Sequence, residues 1–171
     1  LIAGLPFEDF VSFQNSFNQV YAMKPEQLQL GFLKVLKGSP MEAMAEEYGI
    51  VSSPNPPYEV LFTPWLSYGE LLSLKGVEEM VEVYYNSRQF ITAVGRLEGE
   101  FASPYDMFAA LAGYYEQEGL DRISHSRMAR FEILWNFISS LGLGKEAMEE
   151  YRDALMTDLY LRENAKSRPS F

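Results

Sequence analysis

The sequence predicts a mainly α protein with a small β/α portion, namely one strand–helix–strand unit followed by a bundle of four or five helices. Three observations carry this. Apolar residues alternate in LQLGFLKVL near the front, they recur every three or four residues from Ser67 onward, and proline-rich sequence separates the two patterns. With 47% apolar residues and 15% aromatic ones in 171, the chain is long enough to bury a sizeable core.

Leu1 to Leu5 reads as the end of a strand, closed by Gly4 and Pro6, and Glu8 and Asp9 stand where acids favour a helix N-terminus. Phe10, Phe13, Phe17 and Val20 lie on one helical stripe that reaches about Ala22, and Lys24-Pro25 stops it. Leu28, Leu30 and Phe32 then alternate with Gln29 and Gly31 as in a strand. Two strands joined by such a helix are expected to be parallel. The unit needs sheet neighbours, and none is evident in the rest of the sequence.

Ser39-Pro40-Met41-Glu42 predicts a capping box for a short helix ending at Gly49. VSSPNPPYEVLFTPW is expected to be an extended linker, with a short edge strand over Tyr58 to Phe62. Ser67 and Glu70 form a second capping box, ahead of Leu71, Leu74, Val77, Val81 and Tyr84 on one helical stripe. A shorter helical piece surrounds Phe90, Val94 and Leu97. Ser103-Pro104-Tyr105-Asp106 opens a helix carrying Phe108, Leu111 and Tyr115, closed near Gly119. Met128, Phe131, Trp135 and Ile138 mark the next helix, and Met148, Tyr151, Leu155 and Leu159 the last. The expected divisions are residues 1–40, the strand–helix–strand unit; 41–66, the short helix and linker; and 67–171, the helical domain with a basic tail at Arg162, Lys166 and Arg168.

Composition excludes several kinds of chemistry. The net charge of −10 is spread through the chain, since residues 1–66 hold 3 bases and 7 acids and the remainder 11 and 17. Such a surface repels phosphate backbones, so no nucleic-acid partner is expected. With no cysteine the chain can form no disulfide and no thiolate metal site, and its one histidine, His125, cannot supply the usual zinc or iron constellations. No catalytic residue and no metal ligand is therefore assigned. No apolar run of about eighteen residues, signal peptide or N-glycosylation triplet is found, so no membrane partner is expected and a cytoplasmic location is.

Glu46-Glu47, Glu78-Glu79 and Glu149-Glu150 occupy adjacent helical positions about 100° apart, which predicts solvated faces rather than a paired-carboxylate site. The pairs Tyr84-Tyr85 and Tyr114-Tyr115 are expected to anchor the bundle with one ring buried and one at the boundary. His125 is expected just inside a helix start, in a surface or capping role. GLGKE at 142–146 lacks phosphate-loop spacing, and its glycines read as a helix stop before Lys145. Gly31 inside a strand is more informative, because it marks either close approach of a ligand or tight packing under a helix.

LIAGLPFEDFVSFQNSF resembles the late barrel strand and following helix of radical S-adenosylmethionine (radical SAM) enzymes. A stretch of the form D-I-x-G-L-P is common there, matched by Ile2, Ala3, Gly4, Leu5 and Pro6. LQLGFLKVLKGSPM looks like the next barrel strand. PPYEVL, WLS, LKGVEEMVEVYYNS and SPYDMF are similar to the uncharacterised C-terminal domain of a group of cobalamin-binding-domain radical SAM proteins, some named after the magnesium-protoporphyrin monomethyl ester oxidative cyclase. The chain then looks like the C-terminal part of a larger enzyme, cut inside a TIM-like partial barrel, with residues 1–40 the end of that barrel. Two departures stand out. The family's cluster cysteines, C-x3-C-x2-C, are absent, and Phe7 precedes Glu8 where the family commonly has Gly-Glu.

The resemblance implies a parent whose 4Fe-4S cluster cleaves S-adenosylmethionine to a 5′-deoxyadenosyl radical for hydrogen abstraction, with the role of cobalamin left open. It places Ile2 and Gly4 near the adenine of S-adenosylmethionine, and Gln29 or Gly31 near cofactor or substrate. The fragment itself is expected to hold no cofactor and to be non-catalytic. Its partners would be the N-terminal part of the same parent and, through exposed strand edges, a second copy of itself. The alternative is a helical interaction or oligomerisation module without a catalytic role.

Overall fold

Phe13, Phe17 and Tyr21 are spaced to share one face of a helix, and in the computed structural model, which describes residues 1–161, all three are buried along α1 (Phe10–Ala22). Asp9 caps this helix by accepting from the Ser12 N–H at 2.8 Å, and that bond holds the Asp9 carboxyl below its ordinary range. The helix joins β1 (Ile2–Ala3) to β2 (Gly31–Phe32). The strands are parallel as expected, with Ile2 opposite Gly31 and Ala3 opposite Phe32. The molecule is mainly α with a small β/α part. The basic tail expected at Arg162, Lys166 and Arg168 lies outside the described residues.

The strand departs from the expected alternation. Leu28 and Leu30 are buried, but the next buried residues are Leu33 and Val35, so the phase shifts at Gly31–Phe32 and Phe32 is not a core residue. The cause is a change of partner. The Leu33 N–H donates to Ala3 O at 2.9 Å while its own carbonyl accepts from Val60 N at 2.8 Å. Here the structure also corrects the expectation that the unit finds no neighbour in the chain. The proline-rich stretch forms an antiparallel hairpin, β3 (Val51–Ser52) and β4 (Val60–Phe62), rather than a linker. It meets the exit of β2 through the Lys34–Glu59 bridge and the Val35 N–H donating to Tyr58 O at 2.9 Å. A hairpin supplies the hydrogen bonds that one edge of a two-stranded ribbon would otherwise leave open.

Gly4 is fixed by the same junction. Its φ is +92°, and a Cβ there would stand 2.8 Å from Val60 Cγ1, so both backbone and packing require glycine. Phe7 takes φ 67°, a region costly for an aromatic residue, and its ring lies against Trp65 at 4.9 Å and Tyr48 at 5.4 Å. The box expected at the start of α2 (Pro40–Glu47) does not close. Ser39 Oγ donates to Leu36 O, and Glu42 accepts instead from the Gly38 N–H at 2.8 Å. The box at α3 (Tyr68–Met80) does close, with the Ser67 N–H donating to Glu70 at 2.8 Å and the Glu70 N–H to Ser67 Oγ at 3.3 Å.

The chain divides into two compact units, Leu1–Glu79 and Met80–Phe171. The second begins with a correction, because the stripe expected to continue as one helix through Tyr84 passes into a π-helical segment, Val81–Asn86. Then follow α4 (Ile91–Leu97) with a 3₁₀ turn at Glu98–Glu100, α5 (Pro104–Gln117), α6 (Arg127–Ser140) and α7 (Lys145–Tyr160). The second unit thus holds four α-helices among the described residues, α4 to α7.

Helix α7 packs on both α4 and α6. Phe90 contacts Phe131 at 4.5 Å and Tyr84 at 4.9 Å between ring centroids. Tyr84 and Tyr115 are buried and Tyr85 and Tyr114 half-buried, as the pairs predicted. His125 lies outside α6 rather than inside it, because Ser126 is the cap, and its ring nitrogen meets Leu120 O at 2.7 Å.

Candidate functional site

The parallel register sets Ile2 beside Gly31, and the two border an open groove of about 790 Å³ in the first unit. Ile2 is 50% exposed although it belongs to a strand. Gly31 has φ outside the left-handed region, and the nearest atom to an added Cβ is Leu1 O at 3.8 Å, so neither backbone nor packing requires glycine there. Of the two readings of Gly31, tight packing under a helix has no support from its neighbours.

One wall is built by charge on an aromatic ring. The phase shift in β2 turns Phe32 to the groove, and the Lys75 ammonium lies 4.8 Å from its ring centroid while forming a salt bridge with Glu59. Lys34, whose backbone bridges to Glu59, adds a second cation. Glu78 and Glu79 supply two more carboxylates from the last turn of α3. Glu78 is half-buried and Glu79 exposed.

Of the residues the resemblance singled out, the structure brings Ile2 and Gly31 together. Gly4 is buried against Val60, and Gln29 is exposed with its carbonyl accepting from the Leu1 nitrogen at 2.8 Å; neither borders the groove. Sequence reasoning missed Lys34, Glu59, Lys75, Glu78 and Glu79 as a group. A signal for part of it existed, since Lys75, Glu78 and Glu79 stand at i, i+3 and i+4. Nothing local announced Glu59.

Among the described residues no group of three or more His, Cys, Asp or Glu side chains is placed to hold a metal ion, and no helix is long and apolar enough to cross a membrane.

Polar groups of the second unit are turned to cohesion. Asp158 is buried, and its carboxylate accepts from the Thr92 and Ala93 N–H groups, each at 2.9 Å, so α7 caps α4. Tyr84 and Tyr115 hydroxyls meet at 2.7 Å, and burial pushes the Tyr84 hydroxyl well above its ordinary pKa. Tyr151 donates to Glu100 at 3.0 Å and is likewise raised, first by burial and then by that bond.

The family DUF4080, described as a protein of unknown function, matches residues 46–171. That span takes in Glu59, Lys75, Glu78 and Glu79, while Ile2 and Gly31 precede it. No curated protein and no solved structure matches the chain.

Proposed function

The chain belongs to the DUF4080 family, and from that premise we propose that it is the C-terminal part of a radical SAM enzyme of the cobalamin-binding-domain group. In this reading β1, α1 and β2 continue the enzyme's β/α barrel, and the helical region is the domain that follows it. The observation that carries the reading is the parallel pairing of Ile2–Ala3 with Gly31–Phe32 through a single helix. Among the described residues β1 pairs only with β2, and parallel strands are ordinarily found in larger, covered sheets. The glycine-proline stretch at Ile2 to Pro6 adds its resemblance to late barrel strands.

The radical chemistry would come from S-adenosylmethionine and a 4Fe-4S cluster. This chain does not fit the cluster, since it has no cysteine, and no step is assigned to its residues. Its part would be to border the cofactor or substrate space with Ile2 and Gly31. The N-terminal part of the same parent is the proposed partner. The test is anaerobic reconstitution of the full-length gene product with iron and sulfide, followed by electron paramagnetic resonance and assay for 5′-deoxyadenosine. A cluster signal with cleavage is expected; neither signal nor cleavage would leave a helical interaction module as the better account.

A further inference from the structure

We infer that the groove beside β2 seats an extended segment of a second polypeptide, which joins the sheet as an added strand. Backbone groups along β2 and its flanks divide by parity. The Gln29 carbonyl accepts from the Leu1 nitrogen at 2.8 Å, the Gly31 N–H donates to Leu1 O and the Leu33 N–H to Ala3 O, the last two at 2.9 Å. The Leu33 carbonyl then accepts from the Val60 N–H at 2.8 Å, and the Val35 N–H donates to Tyr58 O at 2.9 Å. All of these bonds lie on one edge of the strand, so the N–H and C=O groups of Phe32 and Lys34 face the other. Among the described residues nothing pairs with them. An edge left open in this way is a template for a further strand.

Gly31 points the same way. Glycine weakens a strand, and it is called for by a left-handed φ, by tight packing or by the close approach of another backbone. The first two are absent at Gly31, and the groove opens where its side chain would stand. The charges around the groove select no sign, since Lys75 pairs with Glu59, Glu78 is engaged in an interaction of its own, and Lys34 and Glu79 oppose each other. Recognition then falls to main-chain hydrogen bonds and to the apolar surface of Ile2 and Phe32, which suits an uncharged extended peptide with apolar residues at alternate positions. A second copy of this chain would bring its own β2 edge with the same walls of Glu59 and α3 around it, whereas a single strand brings none.

This inference goes beyond the radical enzyme reading and does not depend on it, because cleavage of S-adenosylmethionine by the parent tests one and binding by this chain the other. The experiment is titration of the chain with the neutral peptide acetyl-Thr-Val-Thr-Val-Thr-amide, followed by calorimetry and by hydrogen exchange at single amides. Binding is expected, and the Phe32 and Lys34 amides, open to exchange in the free chain, should become protected in the complex. The same peptide N-methylated at every residue keeps the side chains and loses the donors, and should bind at least about tenfold more weakly. Lys34→Pro removes an N–H that the fold leaves unused, and should weaken binding of the unmethylated peptide to a similar degree at an unchanged melting temperature. Lys34→Ala keeps that N–H and should bind as the unaltered chain does. If Lys34→Pro fails to fold, the exchange measurement on the unaltered chain decides. No binding, no protection of the two amides, equal binding of the methylated peptide, or equal loss in Lys34→Ala would overturn the inference. So would a dimer that Lys34→Pro converts to monomer, which would assign the edge to a second copy.

Discussion

In the helical unit the Asp158 carboxylate is buried and both its oxygens are occupied by the N-terminus of α4. In the β/α unit Lys34, Glu59, Lys75, Glu78 and Glu79 surround an open groove instead. The same contrast separates two glycines. Gly4 is held by its φ and by Val60, whereas Gly31 is required by neither backbone nor neighbour. Asp158 and Gly4 are therefore the positions where a substitution should cost most.

The comparison breaks most sharply at Asp158. Asp158→Ala leaves the Thr92 and Ala93 N–H groups without their acceptor, the second of them buried, and should cost about 2 kcal/mol in a urea unfolding curve. A loss indistinguishable from zero would show that α4 needs no cap from α7. Gly4→Ala comes next, at about 2 kcal/mol, from the positive φ together with the clash at Val60. Tyr84→Phe removes the hydroxyl pair with Tyr115 and should cost about 1 kcal/mol near neutral pH.

That last variant also sharpens the pH dependence. Burial raises the hydroxyls of Tyr84, Tyr85, Tyr114 and Tyr151 above their ordinary value. The folded state then keeps protons that the unfolded chain releases. Their contribution is complete below the unfolded tyrosine pKa of about 10 and is lost as pH rises beyond it. Unfolding midpoints followed through the alkaline range should fall, and fall less steeply in Tyr84→Phe; equal slopes would remove Tyr84 from the effect. The smallest change is expected at Gly31→Ala, which should leave stability unchanged or raise it by about 0.5 kcal/mol.

The parts of this fold legible in the sequence are those set by local spacing. The Phe13, Phe17 and Tyr21 stripe, the Ser67–Glu70 box, the Ser103 cap of α5 and the stop at Gly142 need only neighbours within a few residues. What escaped depends on residues far apart. Asp158 reaches a helix start more than sixty residues earlier, and Glu59 meets Lys75 only once the hairpin has closed on β2. The strand phase was misread because alternation assumes one partner on each edge throughout, and Leu33 changes partner midway. The groove was half legible for the same reason. Ile2 stood out by resemblance and Gly31 as a glycine inside a strand, while the charged walls come together only in three dimensions.

The most direct test of the contrast between the two glycines is the urea midpoint of the chain, of Gly4→Ala and of Gly31→Ala. The account predicts a clear fall for Gly4→Ala, whose φ and neighbour both demand glycine, and no fall for Gly31→Ala. An equal fall in the two variants would contradict it.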